Sequence, residues 1–555
     1  MVLPSPSPAK PQPAPRALPV GTNTLALTPP RTRSDAWVAA QFPVQANYTR
    51  VFAVGAPAGT KIARVPRLDL NARVGQLTYE ELAITDTVPS LQAAADRVVG
   101  GDLVVAFPGT YAGFHLEHPK GTGPGKFVRF VALGEKGEVV INRAPDADHG
   151  SWMVALVNVD HVILEGFELR GSSKPGQPAE NTPRAGIFID GYFRESARMA
   201  HHVAILRVLS HHHKNWGLHS TDTQDVLIQD SVFGYSGTEH GCYVSDGSDR
   251  YVIRRNVFVN NPASGLQCNL DPTASYEELV EHPKMLRGVD ATRAWIAKTA
   301  TDATKLFGPG AFPDGRGMEF IIEDNVATGN GRVGGAAMNL AGVSQSVIQN
   351  NLIYGNFSTG IAQWDNGNPF DYDARDPGPR SVEHVPGPEV LPLFGCQQNL
   401  IRNNTVIMDN KSRPALQSVN GSWGTRVFNN VLINDSGSAL EVDNTSIYRF
   451  EASHNIITRI EYSNGSEKLK ALATAAPELN AQLDVEFSDI KSAFLRPGLD
   501  AWLTADLRSL SPNRPDFRPN RERSEVLLRV NPKEVEAFDL LGVERKPPLL
   551  GAFAY

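Results

Sequence analysis

The stretch Ile348-Gln-Asn-Asn351-Leu-Ile353 decides the fold, because the chain repeats it. It returns as Ile253-Arg-Arg-Asn256-Val-Phe258, Ile322-Glu-Asp-Asn325-Val-Ala327 and Ile401-Arg-Asn-Asn404-Thr-Val406. Val427-Phe-Asn-Asn430-Val-Leu432 and Ala452-Ser-His-Asn455-Ile-Ile457 continue it. Degenerate copies precede these, at Ile163 to Phe167, Ile205 to Leu209 and Ile228 to Phe233. Successive copies lie 23 to 26 residues apart, and gaps of 42, 69 and 53 residues open after 163, 253 and 348. The long gaps equal one or two repeats plus insertions. Short alternating apolar runs exclude helical repeats of this length. A repeat of ~25 residues with about three short strands matches one turn of a parallel β-solenoid. The Asn then has a physical task. It suits a tight turn because it tolerates the left-handed region and bonds its own backbone. Stacked coil over coil, the Asn side chains also bond one another and satisfy buried polar groups.

Composition agrees with a folded, turn-rich protein. The 555 residues are 41% hydrophobic and 20% charged, with 48 Gly and 40 Pro. The net charge of −7 disfavours a dedicated nucleic-acid binder. No run of ~18 apolar residues could span a membrane. Three cysteines, Cys242, Cys268 and Cys396, cannot make a disulfide framework. Cys242 and Cys268 fall inward on neighbouring coils, two residues out of step, and read as small buried hydrophobes. The expected organisation is a Pro-rich tether over 1–45, an extension over 46–84, the solenoid over 85–475 and a closing segment over 476–555. Segments 172–201, 271–317 and 365–395 interrupt the coils, and the second carries a helical patch from Tyr276 to Ala300.

Ser90-Leu-Gln-Ala-Ala-Ala-Asp-Arg-Val-Val-Gly-Gly-Asp102 precedes Leu103-Val-Val-Ala-Phe-Pro-Gly-Thr-Tyr111, and the chain ends in Leu550-Gly-Ala-Phe-Ala-Tyr555. With the Asn repeat, these stretches resemble the right-handed parallel β-helix superfamily, the pectin-lyase-like fold. The resemblance implies an N-terminal capping helix, a first coil with a PGTY turn, and a terminus similar to GAFEY. It is specific for fold and weak for reaction. It also implies an extended glycan as partner, a secreted or periplasmic protein, and a tether that follows a removed export signal. A monomer is favoured over the obligate trimers of phage tailspikes.

A small residue opens the apolar strand of each coil, at Gly186, Gly217, Gly241, Gly265, Gly335 and Gly360. Alternation then sends Phe188, His219, Tyr243, Gln267, Ala337 and Ala362 outward, with a second outward row of Asp190, Thr221, Ser245, Asn269, Asn339 and Trp364. Trp216 and His240 precede their strands. Neighbouring coils are about 4.8 Å apart, so His219, Tyr243 and Gln267 should stack. Insertions 271–317 and 365–395 both start directly after strands of this sheet, and would wall a groove.

His219, His240 and Tyr243 form the leading acid/base set for β-elimination on a uronate polymer. Lys214, Arg184, Arg194, Arg198 or Arg250 could neutralise the carboxylate. Trp216 and Trp364 could stack on sugar rings, while Gln267, Asn269 and Asn339 bond hydroxyls. Many β-helix lyases instead use a Lys or Arg base, often with calcium. No such residue falls on this column, which counts against the lyase reading; no cofactor is expected to be required, and Ca2+ is the one the resemblance leaves open. Asp222 and Asp246, at equal offsets after their strands, are the hydrolase alternative, with Asp190, Glu239 and Asp365 as further partners. Against that stands turn chemistry, since Asp246-Gly247 is a turn signal. Glu239 to Ser248 resembles the GHGISIGS segment of polygalacturonases. That family's paired Asp is replaced here by Asn215-Trp216, and its RIK motif is absent, which excludes polygalacturonase proper. His201 and His202, and His211 to His213, invite a metal site, for instance two of them with His240. Consecutive strand residues face opposite ways, so a solvated turn is the expected reading and the metal ligands stay unknown. A third possibility, from another class, is a non-catalytic glycan-binding or surface-structural β-helix.

Overall fold

A computed structural model describes residues 34–462 and 480–481, apart from 44, 46, 69, 71–76, 136, 192–198, 271–316, 365–395, 444 and 458–459. Three long parallel sheets of 13, 11 and 12 strands run through these residues. Within each sheet nearly every strand pairs with its counterpart one coil away, and the three sheets enclose a single apolar core. This is the all-β parallel β-helix that the repeats imply.

Alternation builds the core. Leu218, Cys242, Leu266, Met338 and Ile361 occupy one inward column, each opposite the next across a strand pair. All five are fully buried. Burial of each such side chain contributes roughly 1.5–3 kcal/mol relative to exposure. The glycines that open these strands are required by close approach. A Cβ on Gly241 would sit 2.7 Å from the Gly265 carbonyl and 3.0 Å from that of Phe233.

The Asn repeat forms a buried ladder. Asn256 Nδ2 donates to Asn325 Oδ1 at 3.1 Å, Asn325 to Asn351 at 3.0 Å, Asn351 to Asn404 at 2.9 Å, and Asn404 to Asn430 and Asn430 to Asn455 at 3.0 Å. Each Oδ1 also accepts the backbone N–H of the preceding Asn, as Asn351 does from Asn325 at 3.0 Å. The conformational expectation was misplaced by one residue. The left-handed position belongs to the residue before the ladder: Arg255, Asp324, Asn350, Asn403, Asn429 and His454 have φ between 53° and 60°. A second ladder, Asn261 to Asn330 to Asn356 at 2.9 and 3.1 Å, follows five residues after the first.

The N-terminal boundaries also move. Within 1–45, Asp35–Gln41 is a helix that buries Val38, with Phe42 packed beside Leu206, Leu227 and Val252. Val51–Val54 is itself a solenoid strand, inserted between Asp86–Val88 and Leu103–Ala106. An antiparallel hairpin, Ile62–Leu68 with Leu77–Ala83, lays Ala63 and Val65 on Leu103, Val105 and Val131. The capping helix is Leu91–Ala95, and the Ser90 hydroxyl accepts from the Ala93 N–H at 3.1 Å. Within 172–201, Ala185–Asp190 is a regular coil strand. The helical patch at 276–300 lies outside the described residues, as does the closing segment beyond 481.

Asn351→Ala should lower stability by about 2–4 kcal/mol, because it strips the Asn325 side chain and N–H of their acceptor inside the core. Urea unfolding of the two proteins measures this. Loss of less than a few tenths of a kcal/mol would mean that the ladder does not hold the register.

Candidate active site

The outward face of the 11-stranded sheet carries the site. Strand register places Phe188 opposite His219, His219 opposite Tyr243, Tyr243 opposite Gln267, and Gln267 opposite Asn339. The expected column is therefore present, with one correction. Asn339 stands in the first row, not the second, and Ala337 is a fully buried core residue. Ala337, not Gly335, takes the strand-opening place beside Gly265.

His219 and Tyr243 stack in parallel, with ring centroids 4.8 Å apart and planes at 10°. Trp216 lies 4.6 Å from His219, and His240 lies edge-on to Tyr243 at 5.3 Å. His219 Nε2 is 3.3 Å from Ser245 Oγ, while its Nδ1 is buried without a partner. The Ser245 hydroxyl also has the Asp246 carboxylate at 3.1 Å and the Ser220 carbonyl at 3.3 Å as acceptors. Turning to either one frees His219 Nε2. The tautomer of His240 follows from its partner. The Ser264 N–H donates to His240 Nδ1 at 3.0 Å, so the neutral ring carries its proton on Nε2, on the opposite edge. Asn269 Nδ2 approaches the Tyr243 hydroxyl at 3.5 Å. Burial pushes the His219 pKa down to about 3, with Arg184 and His240 adding to the shift. Burial likewise pushes His240 down to about 3.

Amide groups continue the row. Gln267 accepts from Ser264 Oγ at 2.9 Å and from Asn339 Nδ2 at 2.8 Å, and Asn339 accepts from Trp364 Nε1 at 2.7 Å. These bonds align the Gln267, Asn339 and Trp364 side chains along the outward face of the sheet.

Several expected binders have other duties. Trp216 is buried, and its Nε1 donates to Glu239 at 2.9 Å, so it supports the site from below and does not offer a face to a sugar. Glu239 also accepts from Asn215 Nδ2 at 2.7 Å. Arg250 sits on the 13-stranded sheet, where it pairs with Asp225 at 2.8 Å. Lys214 is half-buried in the turn before Trp216. Among the described residues Arg184 is an exposed cation beside the column, with its guanidinium 5.1 Å over Trp216 and 5.7 Å over Trp152. Arg194, Arg198 and Asp365 lie outside the described residues. Trp152, which stacks on Phe188 at 4.1 Å, was missed. Its coil has Met153 where the next four coils have the marking glycines Gly186, Gly217, Gly241 and Gly265.

Asp222 and Asp246 lie one coil apart in turns, with φ of 49° and 56°. Asp222 Oδ1 accepts from the Gly247 N–H at 3.0 Å, and Asp246 Oδ2 accepts from Thr221 and Ser245. These bonds are those of turn carboxylates.

The histidine runs are not solvated turns. His211 and His213 are buried, and His211 Nε2 meets Glu168 at 3.1 Å while His213 Nε2 meets Ser210 Oγ at 3.0 Å. Nor do they join His240. Among the described residues the one group with ligand atoms within 4.8 Å of one another is His161, His201 and His202. The rings of His161 and His202 stack at 4.5 Å and 10°, so their in-plane lone pairs do not converge on one ion. Their nitrogens bond Asp160 and Gln41 instead, which ties the N-terminal helix to the solenoid.

No family model matches the chain, and no curated protein matches it. Among solved structures it is similar to an alginate lyase from Paenibacillus sp. str. FPU-7, at 15% identity over 66% of this chain and 95% of that one, with a TM-score of 0.39. Pectate lyase Pel9A matches at 14% identity over 84% and 91%, with a TM-score of 0.39. A rhamnogalacturonan lyase matches at 12% identity over 86% and 97%, with a TM-score of 0.42. Similarity at this level bears on neither substrate nor reaction.

The neutral histidines make stability depend on pH. His202 and His212 are held down to about 4 by burial, and His219 and His240 to about 3. Unfolded, each takes up a proton near pH 6.5. Their contribution is therefore complete above pH 6.5 and is lost as pH falls toward 3–4, on the order of 2 kcal/mol per histidine by pH 4. Urea midpoints measured between pH 7 and pH 4 should fall steeply in the native protein and less steeply in His219→Gln. Equal slopes would count against a neutral, buried His219.

Proposed function

We propose that the protein is a polysaccharide lyase that binds an extended acidic glycan along the 11-stranded sheet and cleaves it by β-elimination. The observation that carries this reading is the stacked His219–Tyr243 pair on adjacent coils, with Arg184 as the cation beside it. Elimination needs a base for the proton next to the uronate carboxylate, a donor for the leaving oxygen, and a positive charge to stabilise the carbanion-like transition state. His219 Nε2, once Ser245 turns away, takes the proton. The electron pair forms the C=C bond as the glycosidic C–O bond breaks, and the Tyr243 O–H protonates the departing oxygen. His240 donates its Nε2–H to the sugar, and Arg184 holds the carboxylate. A base held at low pKa is weak in the free protein, but an anionic carboxylate brought beside it raises its basicity. The site thus favours acidic over neutral glycans. Gln267, Asn269 and Asn339 bond hydroxyls further along the groove. The turn bonds of Asp222 and Asp246 favour this reading over hydrolysis.

Uronate-containing and neutral polysaccharides, assayed for both ultraviolet absorbance and reducing ends, test the proposal. Absorbance should rise with the uronate polymers alone. His219→Ala and Tyr243→Phe should each reduce kcat at least 100-fold, as loss of an acid/base group does. Reducing ends without absorbance would replace elimination by hydrolysis and move attention to Asp222 and Asp246. Retention on a glycan with no cleavage would leave a binding protein.

A further inference from the structure

The outward row does not stop at His219. One coil at a time toward the N-terminus it runs through Phe188 and Ala155 to His115, on Phe114–Glu117, the terminal strand of the 11-stranded sheet. There a cavity of about 450 Å³ opens, lined among others by Gln92, Arg97, His115, Glu117, Lys120 and His149.

The capping helix forms one wall and closes the row. Gln92 accepts from the His115 N–H at 2.8 Å and donates to the His115 carbonyl at 3.0 Å, so a side chain takes the place of a further coil. The cavity is built for polar contact. Asp146 holds His149 through Nδ1 at 2.8 and 3.0 Å, which keeps the proton there and leaves Nε2 an acceptor. The His149 ring stands edge-on to His115 at 4.5 Å. Both nitrogens of His115 are buried without a hydrogen-bond partner among the described residues. The Glu117 carboxylate, 3.8 Å from His115 Nε2, is beyond hydrogen-bond range. Shielded polar atoms without partners cost free energy, and a turn of the His115 ring toward the cavity it lines lets a hydroxyl-bearing ligand relieve it.

We propose that this cavity receives the terminal sugar of the glycan, so that the protein acts from a chain end. The inference rests on the lyase reading above. His115 and His219 are three coils apart, and each coil advances about 4.8 Å, close to the length of one pyranose unit. A chain seated in the cavity therefore meets His219 about three to four sugars from its end. Trp152, stacked on Phe188, paves the interval, and exposed Lys120 on the rim offers a cation to a terminal carboxylate.

The test follows product size from the earliest turnover of a uronate polymer. One short size class should appear at once, with little loss of viscosity. A ladder of all sizes with rapid loss of viscosity overturns the proposal and leaves the lyase reading intact. Binding separates the two readings further. Calorimetry on the native protein compares uronate oligosaccharides with free and with chemically blocked ends. Free ends should bind at least tenfold tighter, and His115→Gln or His149→Gln, with melting temperatures as the folding control, should abolish that preference. Equal binding of blocked and free ends sinks the terminal-sugar site, and no binding to any glycan sinks both readings.

Discussion

Everything in this molecule depends on one coil lying in register on the next. The constraint is set less by apolar burial, which tolerates a slip of two residues, than by the buried Asn ladder, which does not. From Asn325 onward each Asn oxygen in that ladder accepts a side-chain and a backbone N–H from the coil below, and the atoms are shut away from water. A coil shifted along its strands would leave these donors facing hydrocarbon, at about 1–3 kcal/mol apiece. The geometry of the candidate site is a by-product. His219 and Tyr243 stack at 4.8 Å because that is the spacing between coils.

Much of this was legible in the residues. The repeat announced the solenoid, and period-two alternation placed His219, Tyr243 and Gln267 on one outward line. Alternation fails where its phase is uncertain. After the 271–317 insertion two adjacent glycines, Gly334 and Gly335, precede the strand, and counting from the second displaced Asn339 by one pleat. Burial of polar rings was also out of reach. Nothing in Trp216 or in His211 to His213 says that the chain folds over them, because their covers come from neighbouring coils and turns. Similarly, the Asp35–Gln41 helix hides in a Pro-rich region, and Val38 and Phe42 find partners as distant along the chain as Leu227, Val252 and Ile321. Such contacts have no sequence signature short of the fold itself.

The site's electrostatics have a common cause. Histidines packed between coils lose their solvent and stay neutral. Neutral imidazoles have fixed donor and acceptor edges, and hydrogen bonds to the backbone decide which edge is which, as Ser264 does for His240. Among the described residues, a floor of oriented neutral donors with the exposed Arg184 guanidinium at its side offers directional contacts together with one positive charge. That suits a polymer whose own charge is high and whose units differ mainly in where their oxygens point.

The bond between Asn256 and Asn325 closes 69 residues of chain, and the bond between Asn430 and Asn455 closes 25, yet the two are geometrically alike. Loop-closure entropy grows only with the logarithm of length, so the longer excursion costs about 1 kcal/mol more. The frame is thus nearly indifferent to what is spliced between its coils. Segments between the coils can be lengthened, shortened or exchanged while the sheets keep their register. In such a solenoid, what is spliced in and what holds the frame are separate inheritances: an insertion is free to drift, and the ladder beneath carries no memory of the change.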